Sequence, residues 1–142
     1  MSVTLSKNYF FTLDLGSKVH NLTSDTLYVA FTDTAPTTAT HLYSDIVSPL
    51  ATTNIVGGAT SLAIPSTTWT QSTGTATLGA GTLTITSQTG NFGAFRYVVV
   101  YNNTASSKNV IGFYDYGSEV TLNGVNGDQF SMTFASGILT NA

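Results

Sequence analysis

The chain contains no cysteine, which removes disulfide frameworks and thiolate metal sites while leaving the compartment open. Charge is nearly as scarce. Only 8% of the 142 residues are Asp, Glu, Lys or Arg, against about 25% in ordinary soluble domains. The four basic residues, Lys7, Lys18, Arg96 and Lys108, are scattered and the net charge is −3. No phosphate-binding patch forms by proximity, so no nucleic-acid partner is expected. No apolar run approaches the ~20 residues of a bilayer-spanning helix, so no membrane partner is expected either. The opening MSVTLSKNYFF lacks a basic segment followed by an apolar one, and no Sec signal peptide is expected. The sequons at Asn21 and Asn102 are therefore read as chance matches. Low charge beside 11% aromatic residues is the reverse of a disordered composition. The chain is expected to fold, with enough length for one ordinary core.

Catalytic signatures are also missing. His20 and His41 are the only side chains that titrate naturally near neutrality. His41 and Asp45 would share one face of a short helix, a spacing read as a surface hydrogen bond rather than a metal or catalytic pair. Glu119, Asn123, Asn126 and Asp128 miss the calcium-loop pattern and read as polar hairpin residues. Gly-x-Ser-x-Gly does not occur, Gly79-Ala80-Gly81 lacks the rest of a dinucleotide loop, and no Gly-Lys-Ser/Thr is present. No catalytic residue, cofactor or metal is assigned, and a non-enzymatic role is expected.

What the sequence does have is strand signal. β-Branched and aromatic runs bounded by Gly, Asn, Ser and Thr read as strands at Val3–Leu5, Tyr9–Leu15, Leu27–Thr32, Ala76–Leu78, Leu83–Ser87, Phe95–Tyr101, Val110–Tyr116, Val120–Leu122, Phe130–Phe134 and Ile138–Thr140. Leu78–Thr82 reads as a hairpin tip. The two Asn-Gly dipeptides between Val120 and Asp128 read as another, because both residues tolerate positive φ. One short helix is expected at His41–Val47, with Thr40 as N-cap and Pro49 as the stop. Ala51–Ser72 reads as a long loop around Trp69. The expectation is all-β: one domain spanning the chain, an antiparallel β-sandwich or jelly roll with one short helix and a possible N-terminal extension. So many short strands create edges, and the chain has few charges to guard them.

The run FRYVVVY (Phe95–Tyr101) fails to alternate apolar with polar residues, so both of its faces must be covered. With Tyr101 opposite Val110, the hairpin places Arg96 against Asp115 as a structural ion pair, Val98 against Phe113 and Val100 against Ile111. The other face then holds Phe95, Tyr97, Val99 and Tyr101 against Tyr116, Tyr114, Gly112 and Val110. Tyrosine is enriched at protein interfaces, so Tyr97, Tyr101, Tyr114 and Tyr116 are candidate interface residues. The same face could equally be core. Its cover is expected to be the Ala51–Ser72 loop or another subunit. Tyr9, Phe10 and Phe11 form a candidate N-terminal anchor or else an ordinary first strand.

HNLTSDTLYVAFTDTAP (His20–Pro36) followed by THLYSDI (Thr40–Ile46) resembles the N-terminal half of a family of small tailed-bacteriophage proteins. WTQSTGTATLGAGTLTIT, FRYVVVYNNT, IGFYDYGSEVTL and the terminal GILT resemble its second half, so the likeness runs from about Asp14 to Thr140. The connector Ala51–Ser66 departs from the Gly-rich form of that family, and no partner contact is carried over there. The resemblance implies a virion structural protein assembled in the host cytoplasm, specifically a capsid decoration or cement protein. Its implied partners are the major capsid protein and further copies of itself as a homo-oligomer. The alternatives are a tail-associated protein bound to tail proteins and a carbohydrate-binding adhesion module using Trp69.

Overall fold

Strands form where the sequence is richest in Val, Ile, Thr, Tyr and Phe, the residues that suit a pleated, half-buried surface. The computed structural model describes residues 4–134 and 136–141. In chain order it gives β1 (Ser6–Lys7), α1 (Phe11–Gly16), β2 (Leu27–Thr32), β3 (Thr68–Ser72), β4 (Thr75–Gly79), β5 (Leu83–Thr86), β6 (Phe92–Asn102), β7 (Val110–Leu122), β8 (Gln129–Met132) and β9 (Leu139–Asn141). Antiparallel pairing sorts these into sheets ordered β1-β7-β6-β2, β3-β4-β9 and β5-β8. The protein is a single-domain, all-β antiparallel fold with one short α-helix among the described residues. No helix among the described residues is long and apolar enough to cross a membrane. Of the expected Val3–Leu5 strand, Val3 lies outside the described residues, and pairing begins with Ser6 against Phe113.

Strands β6 and β7 form the spine. Tyr101 faces Val110, but an irregularity beside that pair shifts the ladder by one residue. Val100 then faces Gly112, Val99 faces Phe113, Val98 faces Tyr114 and Tyr97 faces Asp115. The expected pairs Val98–Phe113, Val100–Ile111 and Arg96–Asp115 are therefore not the Cα partners. A bulge adds one residue to one strand, and side-chain period two turns that addition into an exchange of faces. A wider irregularity follows, where residues 116–119 of β7 stand against Arg96 alone.

The two irregularities together decide what each face of β6 touches. Phe95, Val98 and Val100 enter the main core with Phe31 and Val29 of β2, Ile111 and Tyr114 of β7, and Leu78, Ile85 and Leu139 from the two smaller sheets. Phe31 lies edge-on to Phe95 at 4.7 Å, and Phe95 edge-on to Phe130 at 5.2 Å. Such pairs contribute about 0.5–1.5 kcal/mol beyond area burial. On the opposite face Val99, Tyr101, Val110 and Ala30 form a second apolar cluster with Ile46, flanked by Tyr28, Tyr43 and Phe113. The cover over this second face is the segment around Tyr43 and Ile46. The Ala51–Ser72 connection instead sends Ile55, Leu62 and Ile64 into the main core.

Several local expectations are corrected. The helix lies at Phe11–Gly16, where Tyr9–Leu15 reads as a strand. In the turn that leads into it, Asn8 Oδ1 accepts the Phe10 N–H at 2.9 Å. Burial of Phe11 and Asp14, three apart, with Leu13 62% exposed, shows the helical period beneath an apparent alternation. His41–Val47 forms only a 3-10 turn at Tyr43–Asp45, since so short a helix gains too few bonds to offset nucleation. Trp69 sits on β3 rather than in a loop. The β3–β4 hairpin turns at Thr73-Gly74, both at positive φ, which is the geometry of a two-residue type I′ turn. Residues 80–82 and 123–128, read as hairpin tips, instead carry the chain between sheets.

Candidate functional site

Asp14, His20, Asp25 and His41, scattered in the sequence, converge at one end of the spine. Burial of Phe11 in the core pulls α1 inward and takes Asp14 with it, leaving that carboxylate 5% exposed. Asp14 Oδ2 accepts hydrogen bonds from His41 Nε2 at 2.9 Å and from Asn109 Nδ2 at 3.0 Å. His20 Nε2 stands 3.9 Å from the same oxygen and makes no hydrogen bond among the described residues. The expected His41–Asp45 pairing does not form, because Asp45 accepts the Leu42 N–H and closes its own turn. Sequence reasoning missed Asp14 as the hub, since its partners lie 27 and 95 residues away.

A second hub is Asn102, fully buried at the end of β6. Its amide donates to His20 Nδ1 at 3.1 Å and to Asp25 Oδ2 at 2.6 Å. Its carbonyl oxygen accepts from the Thr104 and Ala105 N–H groups. With Nδ1 as an acceptor, neutral His20 carries its proton on Nε2, directed toward Asp14. Burial lowers the His20 pKa, an effect the Asp14 and Asp25 carboxylates offset only in part. These bonds tie the 20–25 turn, α1 and the β6–β7 loop together, so the cluster is a clasp. It opens to water at Asp25 and at His41, which stacks on Phe10 at 4.1 Å and lines a cleft with Lys18, Ser106, Ser107 and Asn109. A carboxylate-oriented imidazole suits general acid–base work. However, neither serine hydroxyl hydrogen-bonds to it among the described residues. No metal-holding group of three or more His, Cys, Asp or Glu occurs among them either.

The candidate interface residues divide. Tyr9 is 75% exposed, Phe10 is half-buried on His41, and Phe11 has no exposed surface. The triplet is thus a turn entering a helix, with Phe11 committed to the core. Tyr101 and Tyr114 are 7% and 5% exposed and occupy opposite clusters, so they too are interior residues. Burial raises the Tyr101 hydroxyl to about 12 and the Tyr114 hydroxyl further still. Tyr97 and Tyr116 remain half-exposed. Tyr97 lies edge-on to Phe113, while Tyr116 lies edge-on to Phe130 at the rim of a groove of about 500 Å³. Leu5, Tyr114, Met132 and Phe134 also line that groove.

Although the register differs from expectation, Arg96 and Asp115 do meet. Arg96 donates from Nε to Asp115 Oδ1 at 2.8 Å and from its terminal nitrogen to Oδ2 at 3.0 Å. Asp115 Oδ1 also accepts the Gly117 N–H at 2.8 Å, which folds residues 116–119 back beside the pair. The fork-shaped guanidinium reaches diagonally to Asp115, the ladder partner of the neighbouring Tyr97, beside the irregularity at 116–119. The Arg96 hydrogen bond, followed by the Gly117 one, holds the Asp115 carboxyl below the ordinary carboxylate value. In comparisons with known proteins, no family model, no curated protein and no solved structure matches the chain.

Proposed function

We propose that this protein is a non-enzymatic virion structural protein of a tailed bacteriophage, a capsid decoration protein that stabilises the head by bridging subunits of the major capsid protein. The observation that carries the reading is the location of the charge. From Ile46 to Phe95 the chain has no Asp, Glu, Lys, Arg or His. Outside that span, Asp14, His41 and His20 cluster in one clasp, and Arg96 engages Asp115. A surface built from hydroxyls, amides and half-exposed tyrosines, with little like-charge repulsion, suits close packing against other chains. Tyr9, Phe10, Tyr97 and Tyr116 are the candidate interface residues that retain exposed surface.

Two resembling segments also meet in space. His20 and Asp25 of HNLTSD bind Asn102 of FRYVVVYNNT, which gives those residues a structural reason to occur together. Apolar burial of about 25 cal/mol per Å², reduced by association costs, would hold each copy. Several copies around a symmetry axis would add avidity. The test is cosedimentation of the purified chain with heads stripped of decoration and with isolated tails of the phage that carries the gene. Binding to heads, with a rise in the temperature at which they rupture, is expected. Binding to tails alone supports the tail-associated reading, and binding to neither removes the virion reading.

A further inference from the structure

We infer that β3 is a self-pairing edge, through which two copies of this chain join their three-stranded sheets about a two-fold axis. Within that sheet β4 is central, with β9 on one side and β3 on the other. The Leu78 carbonyl accepts the Ile138 N–H at 2.6 Å and so points toward the β9 side. Trp69, the partner of Leu78, is therefore in a non-hydrogen-bonded pair with it, and its own N–H and C=O point outward. Period two gives Gln71 the same orientation. The two-residue turn agrees, because it makes Ser72 and Thr75 a hydrogen-bonded pair. The main-chain groups of Trp69 and Gln71 have no hydrogen-bond partner among the described residues.

Natural edge strands are usually guarded by charge, proline, bulges or short length. This one is five residues long, shows no bulge in its ladder to β4, and has Thr68, Thr70, Gln71 and Ser72 exposed. It lies inside the charge-free span from Ile46 to Phe95. A strand that meets its own copy must be compatible with itself, and the absence of charge satisfies that condition, whereas a charged edge would repel its image. With the axis at Thr70, Trp69 of each copy faces Gln71 of the other, and each such pair exchanges both backbone hydrogen bonds. Thr70 then faces Thr70 in a non-hydrogen-bonded pair, and Thr68 faces Ser72, which places hydroxyls against hydroxyls. An isologous contact closes as a dimer and removes both edges from further pairing. The inference stands apart from the virion reading, since it concerns a second copy and not the surface that the protein coats.

The experiment is sedimentation of the full chain over a concentration series, with two substitutions and one cross-link. Gln71→Pro deletes an outward N–H without touching the ladder to β4. Thr70→Lys sets two ammonium groups face to face and keeps every backbone donor. Thr70→Cys introduces the protein's sole thiol. Cα atoms of a non-hydrogen-bonded pair lie about 4.5 Å apart, within the range of roughly 4.4–6.8 Å that a disulfide spans. The expected result is a wild-type dimer that both substitutions weaken by roughly tenfold or more, with the melting temperature of the dilute, monomeric chain preserved. Thr70→Cys should cross-link under mild oxidant, while Ser106→Cys in the exposed β6–β7 loop should not. If Gln71→Pro fails to fold, Thr70→Lys decides. A wild-type chain that stays monomeric at about 0.1 mM overturns the inference, as does an assembly that the substitutions leave intact.

Discussion

Replacing Val99 by Thr exchanges one methyl group for a hydroxyl at nearly constant volume, so the change measures dryness rather than packing. Val99 has no exposed surface. It sits between Ala30 of β2 and Phe113 of β7, beneath Ile46. Because β6 is paired on both sides at this point, neighbouring backbone groups are already bonded to one another. A hydroxyl placed there loses water and finds no free partner, at a cost of about 1–3 kcal/mol. With a urea slope of about 1–3 kcal/mol per molar, a loss of about 2 kcal/mol lowers the unfolding midpoint by roughly 1 M. Val98→Thr, on the main-core face at 2% exposure, should lose a similar amount. Threonine is a good strand former, so on a solvated face the substitution would be close to neutral. Ile46→Ala should itself cost about 2–5 kcal/mol. By admitting water, it should also shrink the penalty of Val99→Thr, giving a coupling of about 0.5–3 kcal/mol in the double-mutant cycle. If Val99→Thr unfolds within about 0.3 kcal/mol of the parent while Val98→Thr does not, the second face is wet and the two-sided burial of β6 is refuted.

Three further outcomes follow from the charged and phenolic groups. Burial, with Tyr43 and Tyr28 nearby, raises Tyr101 from its ordinary 10.0 to about 12. Its contribution to stability is therefore intact below pH 10 and lost as pH rises to about 12. Alkaline unfolding followed by tyrosinate absorbance should show that step, and Tyr101→Phe should flatten it. His20 has the opposite sign: unfolded it takes a proton near 6.5, while burial keeps it neutral to lower pH in the fold. That stability is present above 6.5 and declines as pH falls through the folded value. NMR titration should find the His20 ring taking its proton below 6.5, and His20→Asn should reduce the stability difference between pH 5 and pH 8. Arg96→Gln should let the Asp115 carboxyl titrate closer to its ordinary 3.8, as read by carboxyl carbon shifts. Because both partners are well exposed, the unfolding midpoint should move less than with Val99→Thr.

The site was legible in part. Arg96 and Asp115 could be paired from hairpin arithmetic because long, flexible side chains tolerate a shift of one register position. The aromatic face could not be sorted the same way, since the one-residue shift sends Tyr114 away from Val99 and Tyr101, and the wider irregularity at Arg96 does the same to Phe95. The Asp14 clasp was beyond reach for a different reason. Its members come from α1, the turn after it, the 41–45 segment and the β6–β7 loop, and no sequence spacing relates them.

The sequence by itself determined the class of fold and the need for a two-sided cover. Strand propensity and turn chemistry act over a few residues, and the unbroken run from Val98 to Tyr101 cannot face water on either side. Only the tertiary structure decided that Tyr43 and Ile46 provide the second cover, that Tyr9–Leu15 bends into a helix, and that Trp69 belongs to an edge strand. Each of those outcomes rests on a bulge, a burial competition or a long-range hydrogen bond, whose energy exists only once distant segments are brought together.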